Sequence, residues 1–170
     1  EPLTLLAPAP PVMRLGTVAV TPPPGVFLQA TTDAQAALQQ AVGGIVGGAS
    51  RVTDLFAGCG TLGLPLLKGL SKLTAAESDT AALAAMKAAV DAAGLGARLD
   101  CIEADLMRAP LTADLFGDVE AVIIDPPRAG ASAQCEILAT TAVPAIAMVS
   151  CNPASFARDA AILVAGGYRL

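Results

Sequence analysis

A glycine-rich segment and an acidic residue downstream of it have the types and spacing that would bind a nucleoside. The segment runs Asp54-Leu-Phe-Ala-Gly58-Cys-Gly-Thr61, and Glu77 lies 19 residues after Gly58. Glycines allow the backbone to pass close to a ligand, and the start of a following helix offers free N–H donors. A carboxylate at the end of the next strand, where we predict Glu77, can accept hydrogen bonds from both ribose hydroxyls.

Two kinds of ligand fit these glycines, and the acidic residue before them favours one. Gly58, Gly60 and Gly63 satisfy the G-x-G-x-x-G pattern of nicotinamide dinucleotide sites. Asp54, four residues before the first of them, would repel a pyrophosphate but suits a cationic amine or sulfonium. S-adenosylmethionine carries both groups and a ribose, so it is the predicted cofactor, with a nicotinamide-dependent oxidoreductase as an alternative.

Two further loops follow predicted strands. Asp125-Pro-Pro-Arg128-Ala-Gly130 comes after an almost wholly apolar stretch, and its prolines would hold Asp125 and Arg128 in a rigid, extended loop. Ligands of open α/β sheets bind at the carboxyl ends of the strands, so this loop is predicted to face the same crevice as the glycines. Asp105 follows another strand, where an adenine contact and an ordinary turn are equally compatible with the sequence.

A cysteine at a strand end has the chemistry of a nucleophile. Cys151 lies in Ser150-Cys-Asn-Pro153, just before a predicted helix. A helix start and a nearby Arg128 would favour the thiolate. Cys59, Cys101 and Cys135 are predicted to fill apolar space. The four cysteines form no C-x-x-C pair, so no metal site is predicted, and a reducing, cytoplasmic location is expected.

Alternating strands and helices would position these residues. The predicted strands span 51–56, 72–77, 97–102, 119–124 and 145–150, and the predicted helices span 34–46 (capped by Thr32 and Asp33), 61–70, 79–93, 131–139 and 153–164. This order predicts an α/β fold with a doubly wound, mostly parallel sheet. Residues 1–25, which are rich in proline, are expected to form an extended lead-in with a short strand near Thr17 to Val20. Residues 26–170 are expected to form a single domain that stops before its last strands.

Composition excludes several classes of protein. The chain has no His, which rules out a Ser-His-Asp triad. Its longest apolar run, Ala142 to Val149, contains Pro144 and is far shorter than the roughly 20 residues of a membrane span. The net charge is −5, with ten scattered Lys and Arg, and Phe and Tyr total only five. A nucleic-acid substrate would therefore need phosphate contacts from regions outside these residues.

Together these segments resemble the RNA uracil-C5 methyltransferases, and the ribosomal RNA branch more than the tRNA branch. The likeness covers Gly25 to Leu170 and consists of Phe27-Leu-Gln29, the turn from Asp54 to Gly63, Glu77, Asp105, the loop from Asp125 to Gly130, Ser150 to Pro153, Arg158-Asp159 and Gly167-Tyr168. The loop and the Ser-Cys-Asn-Pro turn are the specific elements, whereas many methyltransferases share the glycine turn. Thr31 stands where the family usually has Asn.

The resemblance implies a Rossmann-like class I methyltransferase core, S-adenosylmethionine as donor and RNA as substrate. It implies that Cys151 is the nucleophile and that the crevice is lined by Gln29, Phe56, Thr61, Glu77, Asp105 and Asp125. It places the general base, a Glu, after residue 170. It also implies an RNA-binding barrel before residue 1, with an iron–sulfur cluster in some members. The 170 residues alone are therefore expected to have little or no turnover.

The chemistry of uracil explains why a cysteine would be needed. C5 of uracil is a poor nucleophile until a thiolate adds to C6, and Arg128 or Asp125 would then stabilise charge on the ring.

Two other functions are compatible with the sequence besides the oxidoreductase: a methyltransferase of the same fold for another acceptor, which would not need Cys151, and a cofactor-binding scaffold without enzyme activity.

Overall fold

The computed structural model of this protein describes residues 9–170. Residues 1–8 of the predicted lead-in lie outside the described residues. The rest of the lead-in contains an antiparallel hairpin of β1 (Met13–Leu15) and β2 (Val18–Val20). Of these two strands the sequence predicted only β2. Leu15, Val18 and Val20 are fully buried, so the hairpin belongs to the hydrophobic core.

The predicted doubly wound parallel sheet is confirmed. Its five strands are β3 (Arg51–Leu55), β4 (Lys72–Glu77), β5 (Leu99–Glu103), β6 (Ala121–Ile124) and β7 (Ala145–Met148), all parallel in the order β5-β4-β3-β6-β7. The four residues of β6 are fully buried, as expected for a parallel strand covered on both faces. The pattern of apolar residues therefore predicted a strand that is covered on both faces.

Four α-helices cover the two faces of the sheet: α1 (Thr32–Val46), α2 (Thr80–Ala92), α3 (Ser132–Leu138) and α4 (Pro153–Ala165). Buried residues of α1, α2 and the hairpin form one apolar cluster, and those of α3 and α4 form a second. Adjacent residues of β6 contribute to opposite clusters, Ile123 to the first and Ile124 to the second. The sheet thus separates two cores.

The residue that caps the start of α1 differs from the prediction. The cap is Thr31, whose hydroxyl accepts the N–H of Ala34 at 3.2 Å. The predicted caps, Thr32 and Asp33, lie in the first helical turn instead. Three neighbouring polar residues can each serve as a cap, so the sequence alone did not decide among them.

The predicted helix from Thr61 to Leu70 is wrong in type. The chain forms turns and then a 3-10 helix from Leu64 to Gly69. Pro65 has no N–H to donate, and glycines within the segment disfavour an α-helix. Leu64 and Leu67 are buried all the same, so the segment still contributes to the core.

Strand ends were predicted to within two residues, and the differences matter at β3. This strand stops at Leu55, because Phe56 adopts a left-handed conformation with φ of 59°. Leu55 is in register with Ala76 of β4 and with Ile124 of β6. Because the strands are parallel, the segments that follow them leave the sheet at one common edge.

Candidate active-site cavity

The segments that follow the sheet strands enclose a cavity of about 680 Å³. Ten of the predicted site residues line it: Gln29, Asp54, Phe56, Gly58, Thr61, Glu77, Asp105, Asp125, Arg128 and Cys151. Residues separated by more than a hundred positions in the chain therefore face one space. A volume of this size is typical of cofactor and small-ligand sites.

Gly60 is the predicted site residue that does not line the cavity. A side chain at this position would collide with Leu64 and approach Met86. Gly60 therefore allows the turn to pack on the core rather than to approach a ligand. Periodicity and motif spacing do not distinguish these two uses of a glycine.

Glu77 connects the glycine turn with the segment after β4. Its Oε2 accepts the N–H of Gly58 at 2.9 Å, while Oε1 accepts the N–H groups of Ser78 at 2.7 Å and Asp79 at 2.9 Å. A carboxylate offers about four acceptor positions. Oε2 therefore keeps acceptor capacity for a ligand hydroxyl beside Gly58.

Asp54 lies almost wholly inside the protein, with 1 % of its surface exposed. Its Oδ2 accepts the N–H of Gly63 at 3.0 Å. Burial, followed by repulsion from Asp125, raises the pKa of Asp54 to about 7, although the hydrogen bond from Gly63 opposes this rise and Glu77 adds to it. A positive charge close to Asp54 would lower this pKa and favour the carboxylate.

The cavity is strongly acidic. Five carboxyl groups line it, whereas Arg128 is the one basic residue in the lining; the acidic residues are Asp54, Glu77, Asp79, Asp105 and Asp125. Burial also raises the pKa of Asp125. An accumulation of this kind attracts cations and repels phosphate groups.

Two residues that line the cavity, Phe56 and Gly58, have a positive φ. Phe56 has a φ of 59°, which is uncommon for a bulky residue, and Gly58 has a φ of 55°. No atom lies within 4 Å of the position that a side chain on Gly58 would occupy. The space above Gly58 is therefore open for a ligand to contact the backbone.

Cys151 is exposed and faces the cavity. It precedes α4, whose first turn is capped by Asn152 through a 3.1 Å bond from the N–H of Ala154. Cys59 and Cys135 are buried, which raises the pKa of both thiols, that of Cys135 to about 12. Cys135 lies in α3, within the helix predicted for residues 131–139. Among the four thiols, that of Cys151 is the accessible one in the cavity.

Asp105 and Arg128 are exposed at the mouth of the cavity. Asp105 Oδ1 accepts the N–H of Met107 at 3.1 Å, which is an ordinary turn contact. Leu38 and Met107 also line the cavity, and the sequence did not predict them. Leu38 is on α1, so its place depends on how that helix packs against the sheet.

Residues 9–170 contain neither a cluster of side chains that could hold a metal ion nor a helix that could cross a membrane. No group of three or more Cys, Asp, Glu or His side chains in this range is arranged to hold a metal ion. None of its helices combines the length and the apolar character that a membrane span requires.

Comparison with known proteins gives a family match and several related chains. The model of the family described as conserved hypothetical protein 95 matches residues 32–154. An uncharacterised RNA methyltransferase of Mesorhizobium japonicum is 44 % identical over 167 residues, which is 98 % of this chain and 40 % of that protein. A 23S rRNA (uracil(1939)-C(5))-methyltransferase of Chromohalobacter salexigens is 39 % identical over 150 residues, 86 % of this chain and 30 % of that protein.

One solved structure is similar along nearly the whole chain. The tRNA (uracil-54, C5)-methyltransferase of Pyrococcus abyssi, in complex with S-adenosyl-L-homocysteine, aligns with a TM-score of 0.77 and 28 % identity. The alignment covers 94 % of this chain and 37 % of that one. The chain thus spans about two fifths of the length of the Mesorhizobium and Pyrococcus proteins.

Proposed function

The chain belongs to the family of conserved hypothetical protein 95, and from that premise we propose that it is the cofactor-binding and nucleophile-bearing core of an RNA methyltransferase. The proposed reaction transfers a methyl group from S-adenosylmethionine to C5 of a uridine. One observation carries the proposal: Cys151 is exposed in the same cavity as Gly58 and Glu77. A methyl donor and a nucleophilic sulfur would thereby meet at one edge of the sheet.

The residues of the cavity fit S-adenosylmethionine. Glu77 offers acceptor capacity next to Gly58 for ribose hydroxyls. Asp54 and Asp125 provide negative charge for the amine and the sulfonium, and the same charges disfavour the pyrophosphate of a nicotinamide dinucleotide. When bound, this cofactor would supply an electrophilic methyl group. The bound S-adenosyl-L-homocysteine of the Pyrococcus protein supports the same assignment.

Cys151 would provide the covalent step. Its Sγ adds to C6 of uracil, and the electron pair displaced from the C5–C6 bond makes C5 nucleophilic. C5 would then take the methyl group that the donor supplies, and the sulfonium sulfur of the donor would keep the electron pair of the bond that breaks. Loss of the C5 proton to a base restores the double bond and expels the thiolate of Cys151.

Arg128 and Asp125 would hold the uracil. Arg128 donates to a ring carbonyl on which negative charge develops, and Asp125 accepts from an N–H on the same edge. The named activities of the Chromohalobacter and Pyrococcus relatives support a uracil substrate, and we take 23S ribosomal RNA as the first one to test. The four cysteines are free, which agrees with action in the reducing cytoplasm.

Trapping of a covalent adduct tests the proposal. The complete protein is incubated with S-adenosylmethionine and 23S ribosomal RNA transcribed with 5-fluorouridine, and a parallel reaction uses a tRNA transcript. After methylation the ring has fluorine at C5 instead of a proton, so the bond between Sγ and C6 cannot be eliminated. We expect a protein–RNA complex that survives denaturing electrophoresis and whose linkage peptide contains Cys151.

Two variants sharpen the result. Cys151→Ala should abolish both the adduct and transfer of labelled methyl groups to ordinary RNA. Cys101→Ala, which alters a half-buried thiol outside the cavity, should retain both. Methyl transfer that survives in Cys151→Ala would overturn the uracil mechanism, and a lack of adduct with both RNAs would overturn the uridine substrate.

A further inference from the structure

The first turns of α4 hold the loop from Asp125 to Gly130 in place. Asn152 Nδ2 and the hydroxyl of Ser155 donate to the carbonyl of Arg128 at 3.1 and 3.2 Å. Arg158 Nη2 donates to the carbonyl of Ala129 at 2.9 Å. The loop that carries Asp125 and Arg128 is therefore attached to the helix that follows Cys151.

An ion pair within α4 completes this attachment. Arg158 contacts Asp159 Oδ1 through Nε at 2.8 Å and Nη2 at 2.6 Å, and Asp159 Oδ2 accepts the N–H of Ala131 at 2.6 Å. Asp159 is fully buried, whereas the side chain of Arg158 is 49 % exposed. The two side chains thus bind the loop on both sides of Gly130, one at Ala129 and the other at Ala131.

The shape of the loop depends on this pair. Gly130 has a φ of 83°, and a side chain there would collide with Arg158 Nη2 and Asp159 Oδ2. The ion pair therefore fills the space where a side chain would be, and the loop bends around it. Loss of the pair would remove the hydrogen bonds to the carbonyl of Ala129 and the N–H of Ala131, and Arg128 could then move relative to Cys151.

We infer that Arg158 and Asp159 are positioning residues, which set the placement of Asp125 and Arg128 relative to the thiol of Cys151. This inference rests on the proposed function. This ion pair adds little net stability, because solvent screens the half-exposed Arg158 and desolvation of the buried Asp159 offsets much of their attraction. Its principal effect here is geometric. A displacement of about 1 Å at reacting groups can slow a reaction by about a hundredfold.

The test separates the rate of reaction from binding of the cofactor. Arg158→Ala, Arg158→Lys and the unaltered complete protein are compared in single-turnover methylation of 23S ribosomal RNA, and S-adenosylhomocysteine binding is measured by calorimetry. We expect Arg158→Ala to slow methyl transfer at least tenfold while the dissociation constant of the cofactor changes less than twofold. Arg158→Lys, which restores the charge but not the forked donor, should recover part of the rate.

Arg51→Ala is the matched control. Arg51 is 48 % exposed and pairs with Asp118 at 3.3 Å, but it lies at the other end of β3 and away from the cavity. This variant should methylate RNA at the unaltered rate. An Arg158→Ala rate equal to that of Arg51→Ala, or a loss of rate explained by weaker cofactor binding, would overturn the positioning role.

A second measurement keeps the inference apart from the proposed function. If the unaltered protein transfers no methyl group to RNA, the proposed function fails, and the rate of Cys151 alkylation by iodoacetamide decides the inference. Since Asn152, next to Cys151, bonds to the loop, Arg158→Ala should change this rate at least threefold and Arg51→Ala should not. Equal rates in both variants would refute the positioning role.

Discussion

The carboxylate of Asp54 and the backbone of Gly63 are joined by a 3.0 Å hydrogen bond from the N–H of Gly63 to Oδ2. This bond closes the glycine turn across nine residues. A side chain on Gly63 would press against Asp54 Oδ2. Asp54 therefore shapes the turn, and its ionised form would add negative charge to the cavity.

Replacement of Asp54 by Asn should flatten the dependence of stability on pH. In the folded protein the pKa of Asp54 is about 7, raised from 3.8 chiefly by burial. Between these values the folded state binds a proton that the unfolded chain has released, so the free energy of unfolding falls as pH rises, by at most about 1.4 kcal/mol per pH unit. Urea denaturation at a series of pH values measures this slope.

Asp33→Asn is the control for that slope, because Asp33 is an exposed residue in the first turn of α1. The Asp33→Asn variant should keep the fall in the free energy of unfolding that Asp54 produces between about pH 5 and pH 7. A slope that is identical in Asp54→Asn and Asp33→Asn would mean that Asp54 is ionised throughout this range.

The fold was predictable because its determinants are local in the sequence. The apolar run before Asp125 and the glycines after Leu55 indicate parallel strands and the turns that follow them, and the structure confirms both. What the sequence did not indicate depends on tertiary contacts. Gly60 faces the core, Leu38 reaches the cavity through the packing of α1, and hydrogen bonds such as Asp54 to Gly63 join residues by geometry that has no periodic signature.

A methyl group added at Gly58 should weaken cofactor binding. Gly58 has a φ of 55° and open space above it in the cavity, so Gly58→Ala would put a Cβ where a ligand would contact the backbone. Gly94 matches it in conformation, with a φ of 72° and open space, but lies after α2 and outside the cavity. Both variants should lose about 1 kcal/mol of stability.

The two variants should differ in affinity. We expect Gly58→Ala to raise the dissociation constant of S-adenosylhomocysteine at least tenfold, about 1.4 kcal/mol, and Gly94→Ala to leave it unchanged. Calorimetric titration measures both. Equal affinities in the two variants would show that the ligand does not pass close to Gly58.

Truncation of Gln134 should destabilise the fold without a direct effect on the cavity. This buried side chain accepts the N–H of Leu111 at 2.8 Å and donates to its carbonyl at 3.2 Å. Gln134→Ala would leave both backbone groups without partners at a cost of about 2–5 kcal/mol. Gln40→Ala, at an exposed position of α1, should cost less than about 0.5 kcal/mol. Urea denaturation of both variants compares the two costs.

A cofactor analogue should protect Cys151 from alkylation. Cys151 is exposed in the folded protein, whereas Cys59 and Cys135 are buried with raised pKa values. Iodoacetamide should therefore label Cys151 first and reach the two buried thiols only in urea, which peptide mass spectrometry can follow.

Because Cys151 and Glu77 line one cavity, saturating S-adenosylhomocysteine should slow labelling of Cys151 at least threefold. Gly58→Ala should lose this protection at ligand concentrations where Gly94→Ala keeps it. Labelling that S-adenosylhomocysteine leaves unchanged, although calorimetry shows it bound, would mean that the thiol and the cofactor do not share the cavity.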